Sequence, residues 1–176
     1  MPSWTERPVR TAPLVFFDLE TTALRPDRGG RIREMAVVGP DGCRYDWTSP
    51  HDPPRDAVVA EQLSVVHSHL CERIVVGHNL SFDLRFLTYE AERLGLRGLA
   101  LQFADTLGLA RQVRPGRDDY RLGALVDTFG VSPDAALHTA VGDALAARTL
   151  FWHLVDAGGL ETLSDAGVKR LRWNAG

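Results

Sequence analysis

The chain is poor in several features, and each shortage excludes a class of protein. Two cysteines, Cys43 and Cys71, are too few for a disulfide framework, so a reducing, cytoplasmic setting is expected. No run of about 20 apolar residues occurs, which argues against a membrane-spanning helix. The first eleven residues, MPSWTERPVRT, are polar and do not read as a signal peptide. Internal repeats and low-complexity tracts are absent, which removes solenoids and disordered linkers. Charge of one sign is also scarce: a net charge of −3 counts mildly against a surface coated with phosphate contacts. What is present is ordinary for one globular domain. The 176 residues are 44% hydrophobic and 24% charged, enough for a sizeable core.

Residues 1–12 carry two prolines and no periodicity, and read as a loose N-terminal arm before a domain over 13–157. Leu14-Val15-Phe16-Phe17 is too short for a helix and rich in strand formers, so it reads as a buried strand running into Asp18-Leu19-Glu20. Ile32 to Val38 and Cys43 to Thr48 read as a hairpin about the turn Gly39-Pro40-Asp41-Gly42. Val58, Val59, Leu63, Val66 and Leu70 fall at helical spacing, and Ile74-Val75-Val76-Gly77-His78 is a further buried strand ending at Asn79. Ser81 is a candidate cap for a helix with a Leu84, Leu87, Ala91, Leu94 stripe that ends at Gly95. Leu99 to Phe103 is a fifth strand running to Asp105-Thr106. Three helical stretches follow, over Leu107 to Val113, Leu122 to Phe129 and about Ala140 to Val155, the last two separated by Val131-Ser132-Pro133. A three-strand meander followed by alternating strands and helices predicts an α/β domain with a five-stranded mixed sheet. Residues 158–176 form a tail whose role the pattern does not reveal.

Candidate chemistry lies in the carboxylates. Asp18 and Glu20 are two apart at the end of an apolar strand, so a period of two places them on one face. Like charges at a buried strand end are costly unless a cation or proton resolves them; the plain alternative is a solvated strand end. Asp83 falls in the first turn of a helix, where compensation of the helix dipole is an equally simple role. His138 and Asp143 are five apart, about 140° around a helix, and can share a site only if His138 lies in the loop that enters the helix. His67 and His69 diverge by about 200° on a helix and make a poor metal pair. Arg111, Arg114, Arg117 and Arg121 surround a Pro-Gly turn, and read either as a phosphate track or as a solvated loop beside Asp118 and Asp119.

In order, Phe17-Asp18-Leu19-Glu20-Thr21-Thr22, Gly77-His78-Asn79-Leu80-Ser81-Phe82-Asp83 and His138-Thr139-Ala140-Val141-Gly142-Asp143 resemble the three motifs of the DEDDh (DnaQ-like) 3′→5′ exonucleases. That superfamily includes the proofreading epsilon subunit of bacterial DNA polymerase, RNase T and oligoribonuclease. The likeness extends over roughly residues 13–155: Ile32 to Val38 with Glu34 resembles the family's second strand, and Asp105-Thr106 the end of a later one. Ala23 departs from the pattern, standing where the family often has Gly. The resemblance implies an RNase H-like fold and two divalent ions, Mg²⁺ or Mn²⁺, held by Asp18, Glu20, Asp83 and Asp143. It implies His138 as general base, a role suited to an imidazole whose ordinary pKa lies near 6.5. Substrates would be 3′ ends of single-stranded DNA or RNA, cut to nucleoside 5′-monophosphates. Thr21, Thr22, Leu24, Asn79 and Phe82 would contact the terminal nucleotide, Leu24 and Phe82 being equally readable as packing residues. A DNA polymerase partner or a homodimer is compatible with the resemblance. So is a catalytically silent domain that binds nucleic acid or a polymerase, although retention of every acidic position and His138 speaks against silence.

Overall fold

The computed structural model describes residues 3–96, 100–130 and 137–172. Residues 1–2 of the arm, Leu99 at the head of the fifth strand, the 131–133 separator and residues 173–176 of the tail lie outside the described residues. The meander forms β1 (Leu14–Thr21), β2 (Ile32–Gly39) and β3 (Gly42–Thr48), and α1 (Asp56–Leu70) follows. Next come β4 (Ile74–Gly77), α2 (Leu80–Arg93), β5 (Ala100–Asp105), α3 (Thr106–Val113), α4 (Leu122–Thr128), α5 (Ala140–Gly158) and β6 (Lys169–Arg172). The sheet order is β3-β2-β1-β4-β5-β6. β1 pairs antiparallel with β2 and parallel with β4, so the strand bearing Asp18 and Glu20 lies inside the sheet. No helix among the described residues is long and apolar enough to cross a membrane.

Alternation along β1 explains the two cores. Leu14 and Phe16 point to one face, packed with Phe151 and Leu154 of α5 and with Leu109 and Leu125. Val15, Phe17 and Leu19 point to the other, against Leu63 and Val66 of α1 and Leu80 and Leu84 of α2. The same period of two carries Asp18 and Glu20 onto the α5 face. Ala140, Ala144, Ala146 and Ala147, all buried, leave little side-chain bulk at the buried positions in the first half of α5. Thr139 caps α5 by accepting the Gly142 N–H at 3.1 Å, and Gly159 ends it in a left-handed conformation.

Among the described residues the sheet has six strands rather than the expected five. The extra strand, β6, comes from the tail and runs antiparallel to the edge of β5, with Leu171 opposite Leu101 and Lys169 opposite Phe103. Its sequence, KRLR, has no apolar run to announce a strand, because an edge position leaves charged side chains in solvent. The tail also binds the segment read as a loose arm. Val9 is buried and its N–H donates to the Glu161 carbonyl at 2.9 Å, while the Leu163 N–H donates to Arg7 at 3.0 Å. Helix α2 begins one residue ahead of the expected Ser81 cap, with Asn79 left-handed at φ 57° and its N–H donating to Asp105 at 2.9 Å. Gly77 lies just before this junction. A Cβ there would come within 2.7 Å of the Phe17 carbonyl oxygen, so the close passage of β4 past β1 requires glycine.

Away from the carboxylate end of β1, four charges tie the loop before β2 to α1 and α2. The fully buried Glu90 accepts from Arg31 Nε at 2.7 Å and from an Arg93 guanidinium nitrogen at 2.6 Å. Both arginines also bond Asp56, at 2.7 and 2.8 Å. Hydrogen bonds from Arg93 and then Arg31 bring the Asp56 carboxyl down to about 2. Its folded value lies below its unfolded one, so its contribution is present at neutral pH and is lost as pH falls through that value. Glu90→Ala leaves the two guanidiniums only Asp56, and should destabilise the fold by about 3 kcal/mol. In thermal denaturation this corresponds to a melting temperature lower by roughly 6–12 °C at this chain length; an unchanged melt would show the network to be dispensable.

Candidate active site

Asp18 and Glu20 from β1 meet Asp143 from the first turn of α5. Each of the three offers a carboxylate oxygen within 4.8 Å of the others. Asp83 approaches from the opposite face of the sheet. It is 3% exposed, and its Oδ1 accepts the Leu19 N–H at 3.0 Å, the amide between the two β1 carboxylates. β4 pairs with β1 only through Phe16, so this amide lies past the paired stretch and Asp83 takes it. His138 lies in the loop entering α5, as its spacing to Asp143 requires. It is left-handed at φ 70°, and its N–H donates to Asp143 Oδ1 at 3.1 Å.

The electrostatics follow from this crowding. Burial, then repulsion from Asp83, Asp143, Glu20 and Glu34, holds the Asp18 carboxyl well above the usual carboxylate range. Burial raises Glu20, with Asp143 and Glu34 adding to it and Arg33 and His138 opposing. Asp83 and Asp143 are also raised, in both cases chiefly by burial. Among the described residues, no arginine or lysine forms an ion pair with Asp18, Glu20 or Asp143. Close oxygen donors that no arginine or lysine pairs suit a hard divalent cation, so the residues present fit the ions expected there.

Beside the carboxylates lies a cleft of about 480 Å³, lined by Asp18, Asp143, Asn79, Arg111 and Arg121 among others. His78 forms part of its wall. One ring nitrogen, Nε2, is 2.9 Å from the Tyr120 carbonyl oxygen and must donate to it, while Nδ1 is 2.9 Å from Thr106 Oγ1. Burial lowers the His78 pKa, and the Thr106 hydroxyl also lies 3.2 Å from the Gly77 carbonyl oxygen, to which it donates. Spacing in the sequence does not single out His78, because its partners lie 28 and 42 residues away. Glu34, directly opposite Glu20 in the β1–β2 register, is a further carboxylate that period and spacing did not place at the site.

The remaining predicted contacts divide. Thr21 Oγ1 donates to the Ala23 carbonyl at 2.9 Å, and Thr22 Oγ1 accepts the Arg31 N–H at 3.0 Å, so both hydroxyls brace the β1–β2 loop. Leu24 is 76% exposed, and its carbonyl is held by Arg85 of α2 at 3.2 Å. Phe82 is half-buried against Phe86, with ring centroids 5.0 Å apart. Asn79 lies on the cleft wall. The four arginines do not form one row: Arg111 and Arg121 line the cleft, whereas Arg117 turns onto Phe129 and bonds Thr128 at 2.7 Å. His69 of α1 lies beside Tyr45, away from the carboxylates.

A mixed sheet flanked by helices, with carboxylates gathered from its central strand and from the helix crossing it, defines an RNase H-like nuclease domain. The exonuclease family model RNase_T matches residues 48–151, and the chain belongs to that family. It is 30% identical over 162 residues to the DNA polymerase III subunit epsilon of Treponema pallidum, covering 79% of this chain and 74% of that protein. It is 28% identical to the PolC-type DNA polymerase III of Halalkalibacterium halodurans and to the 3′-5′ exonuclease DinG of Bacillus subtilis, covering 84% and 90% of this chain. The chain spans 12% and 19% of the length of those two relatives. Among solved structures, Exonuclease X in complex with 5′ overhanging duplex DNA superposes with a TM-score of 0.61 at 22% identity, covering 88% of this chain and 98% of that one. S. pombe Pop2p in its Mg²⁺- and Mn²⁺-bound form superposes at 0.64 with 12% identity, covering 84% of each chain.

A carboxyl with a raised pKa binds its proton more tightly in the folded state, so the metal-free protein loses stability as pH rises through the folded value. Asp18→Asn should therefore raise the melting temperature of the metal-free protein at pH 8 by roughly 2–4 °C, equivalent to about 1 kcal/mol. Added Mg²⁺ should stabilise the parent more than the variant. Identical melts without metal would show that Asp18 carries no such penalty.

Proposed function

We propose that this chain is a 3′→5′ exonuclease acting on the 3′ ends of single-stranded DNA or RNA and releasing nucleoside 5′-monophosphates. The observation that carries the reading is the meeting of Asp18, Glu20 and Asp143 at one point, with His138 bonded through its backbone to Asp143. Asp18, Glu20, Asp83 and Asp143 would hold two divalent ions, Mg²⁺ or Mn²⁺. When bound, such ions supply activation of water and stabilisation of the leaving 3′-oxygen. His138, exposed at the helix entry, takes the proton of the attacking water. Asp83 holds β1 in place through Leu19, so that Asp18 and Glu20 keep their spacing. Leu24, exposed on a loop tethered to α2, and Phe82 flank the terminal base and help unstack it, while Thr21 and Thr22 shape the loop that meets the 3′-hydroxyl. Asn79, Arg111 and Arg121 line the path of the preceding nucleotides. Two bound divalent ions would bring the net charge from −3 to about +1, with the gain concentrated at the scissile phosphate. The relatives named as polymerase subunits support a DNA 3′ end as substrate and a DNA polymerase as partner.

Incubating 3′-labelled single-stranded DNA and RNA with Mg²⁺ or Mn²⁺ should release labelled mononucleotide, and Asp18→Ala should reduce release to background. No release from any substrate would favour a silent binding domain. His138→Ala should lose roughly 10²–10⁴-fold in the rate of mononucleotide release. An Arg111→Gln, Arg121→Gln double variant should bind single-stranded substrate more weakly and with a shallower salt dependence, by up to about 0.7 in log-log slope per lost phosphate contact. An unchanged slope would remove both arginines from the substrate path.

A further inference from the structure

Glu34 stands where a carboxylate is electrostatically unfavourable. It is half-buried on β2, directly across the ladder from Glu20, and like charges at such paired positions repel. It adds to the repulsion that already holds Asp18 and Glu20 protonated more tightly than usual. It is not one of the three carboxylates that share the 4.8 Å cluster. Its oxygens are engaged elsewhere: Oε1 receives the Arg33 guanidinium at 3.3 Å, and Oε2 accepts the N–H of Ala140 at 3.3 Å.

Ala140 is the first residue of α5, and its N–H is one of the amides that a helix start leaves without an internal partner. Two nearby amides are satisfied locally, Gly142 by Thr139 and His138 by Asp143. The bond to Ala140 comes from the sheet. Eight residues further along α5, Arg148 donates to the carbonyl of Gly39 at the far end of β2, at 3.2 Å. Helix α5 is thus fastened to β2 near both ends of the strand, and β2 is itself registered residue by residue on β1.

The geometry points to Glu34 as a positioning residue: through Ala140 it sets where the start of α5, and with it His138 and Asp143, stands relative to Asp18 and Glu20. His138 precedes Ala140 by two residues and Asp143 follows it by three, so a shift at Ala140 carries both. A displacement of about 1 Å in a reacting constellation is enough to cost on the order of a hundredfold in rate. The inference rests on the exonuclease reading proposed above, and its test separates the two.

Gln at this position keeps an oxygen able to accept from Ala140 while losing the charge, and Ala loses both. Glu34→Ala should lower kcat for mononucleotide release about a hundredfold with KM within twofold of the parent, whereas Glu34→Gln should stay within about threefold. Amide hydrogen exchange over residues 138–144 should quicken in Glu34→Ala and remain parental in Glu34→Gln. Equal losses in both variants with a raised Mg²⁺ requirement would overturn the proposal in favour of a direct ion ligand. A lower melting temperature in Glu34→Ala with an unchanged kcat per folded molecule would overturn it in favour of a purely structural role. If the parent releases no nucleotide, the exonuclease reading fails; the exchange comparison then decides the Glu34 link alone, and parental exchange in Glu34→Ala rejects it.

Discussion

Mutual repulsion among half-buried carboxylates is the constraint around which the rest of the molecule is arranged. Asp18, Glu20 and Asp143 approach within 4.8 Å, with Asp83 and Glu34 close enough to add to their repulsion. Left to itself such a group would separate or take up protons. Rigid elements prevent separation. β1 is held between β2 and β4 and covered on both faces, Asp83 is bonded to the backbone between the two β1 carboxylates, and α5 is fastened along β2. The apolar bulk of Phe16, Phe17, Phe86 and Phe151 thus supports an arrangement that its own electrostatics oppose.

A second group of buried charge behaves oppositely. Glu90 is at least as buried as Asp83, yet each of its oxygens meets a guanidinium, and with Asp56 the network joins two acids to two arginines. Charge balance within the protein marks that group as part of the framework. At the end of β1, balance is missing, and the deficit is of the sign and donor type that a divalent cation would meet. Both groups flank the same α2, one near its start and one near its end, so the helix that carries Asp83 is anchored at the far side by Glu90 and Arg93.

Much of this was legible in the chain because it depends on short-range periodicity. The alternation through Leu14 to Glu20 reveals both the strand and the shared face of its two carboxylates, and the Ala-rich run after Ala140 reveals α5. A spacing of five between His138 and Asp143 already requires a loop-then-helix placement, which the left-handed His138 supplies. What escaped has long-range causes. β6 is four mostly charged residues that become a strand only because β5 offers an edge. His78 is defined by Thr106 and the Tyr120 carbonyl, and Arg117 leaves the row of arginines because Phe129 and Thr128 are within its reach.

By itself, the sequence determined which residues form the strands and helices of the α/β core and which acidic and histidine side chains are brought to their ends, since period and capping act within a few residues. Only the tertiary structure decided how those ends meet. It bonded Asp83 to the β1 backbone between Asp18 and Glu20, set Glu34 against both Glu20 and the start of α5, and drew arm and tail together along the domain. Repulsion and hydrogen bonding act through space, and residues as far apart in the chain as Glu34 and Ala140 become neighbours only after folding.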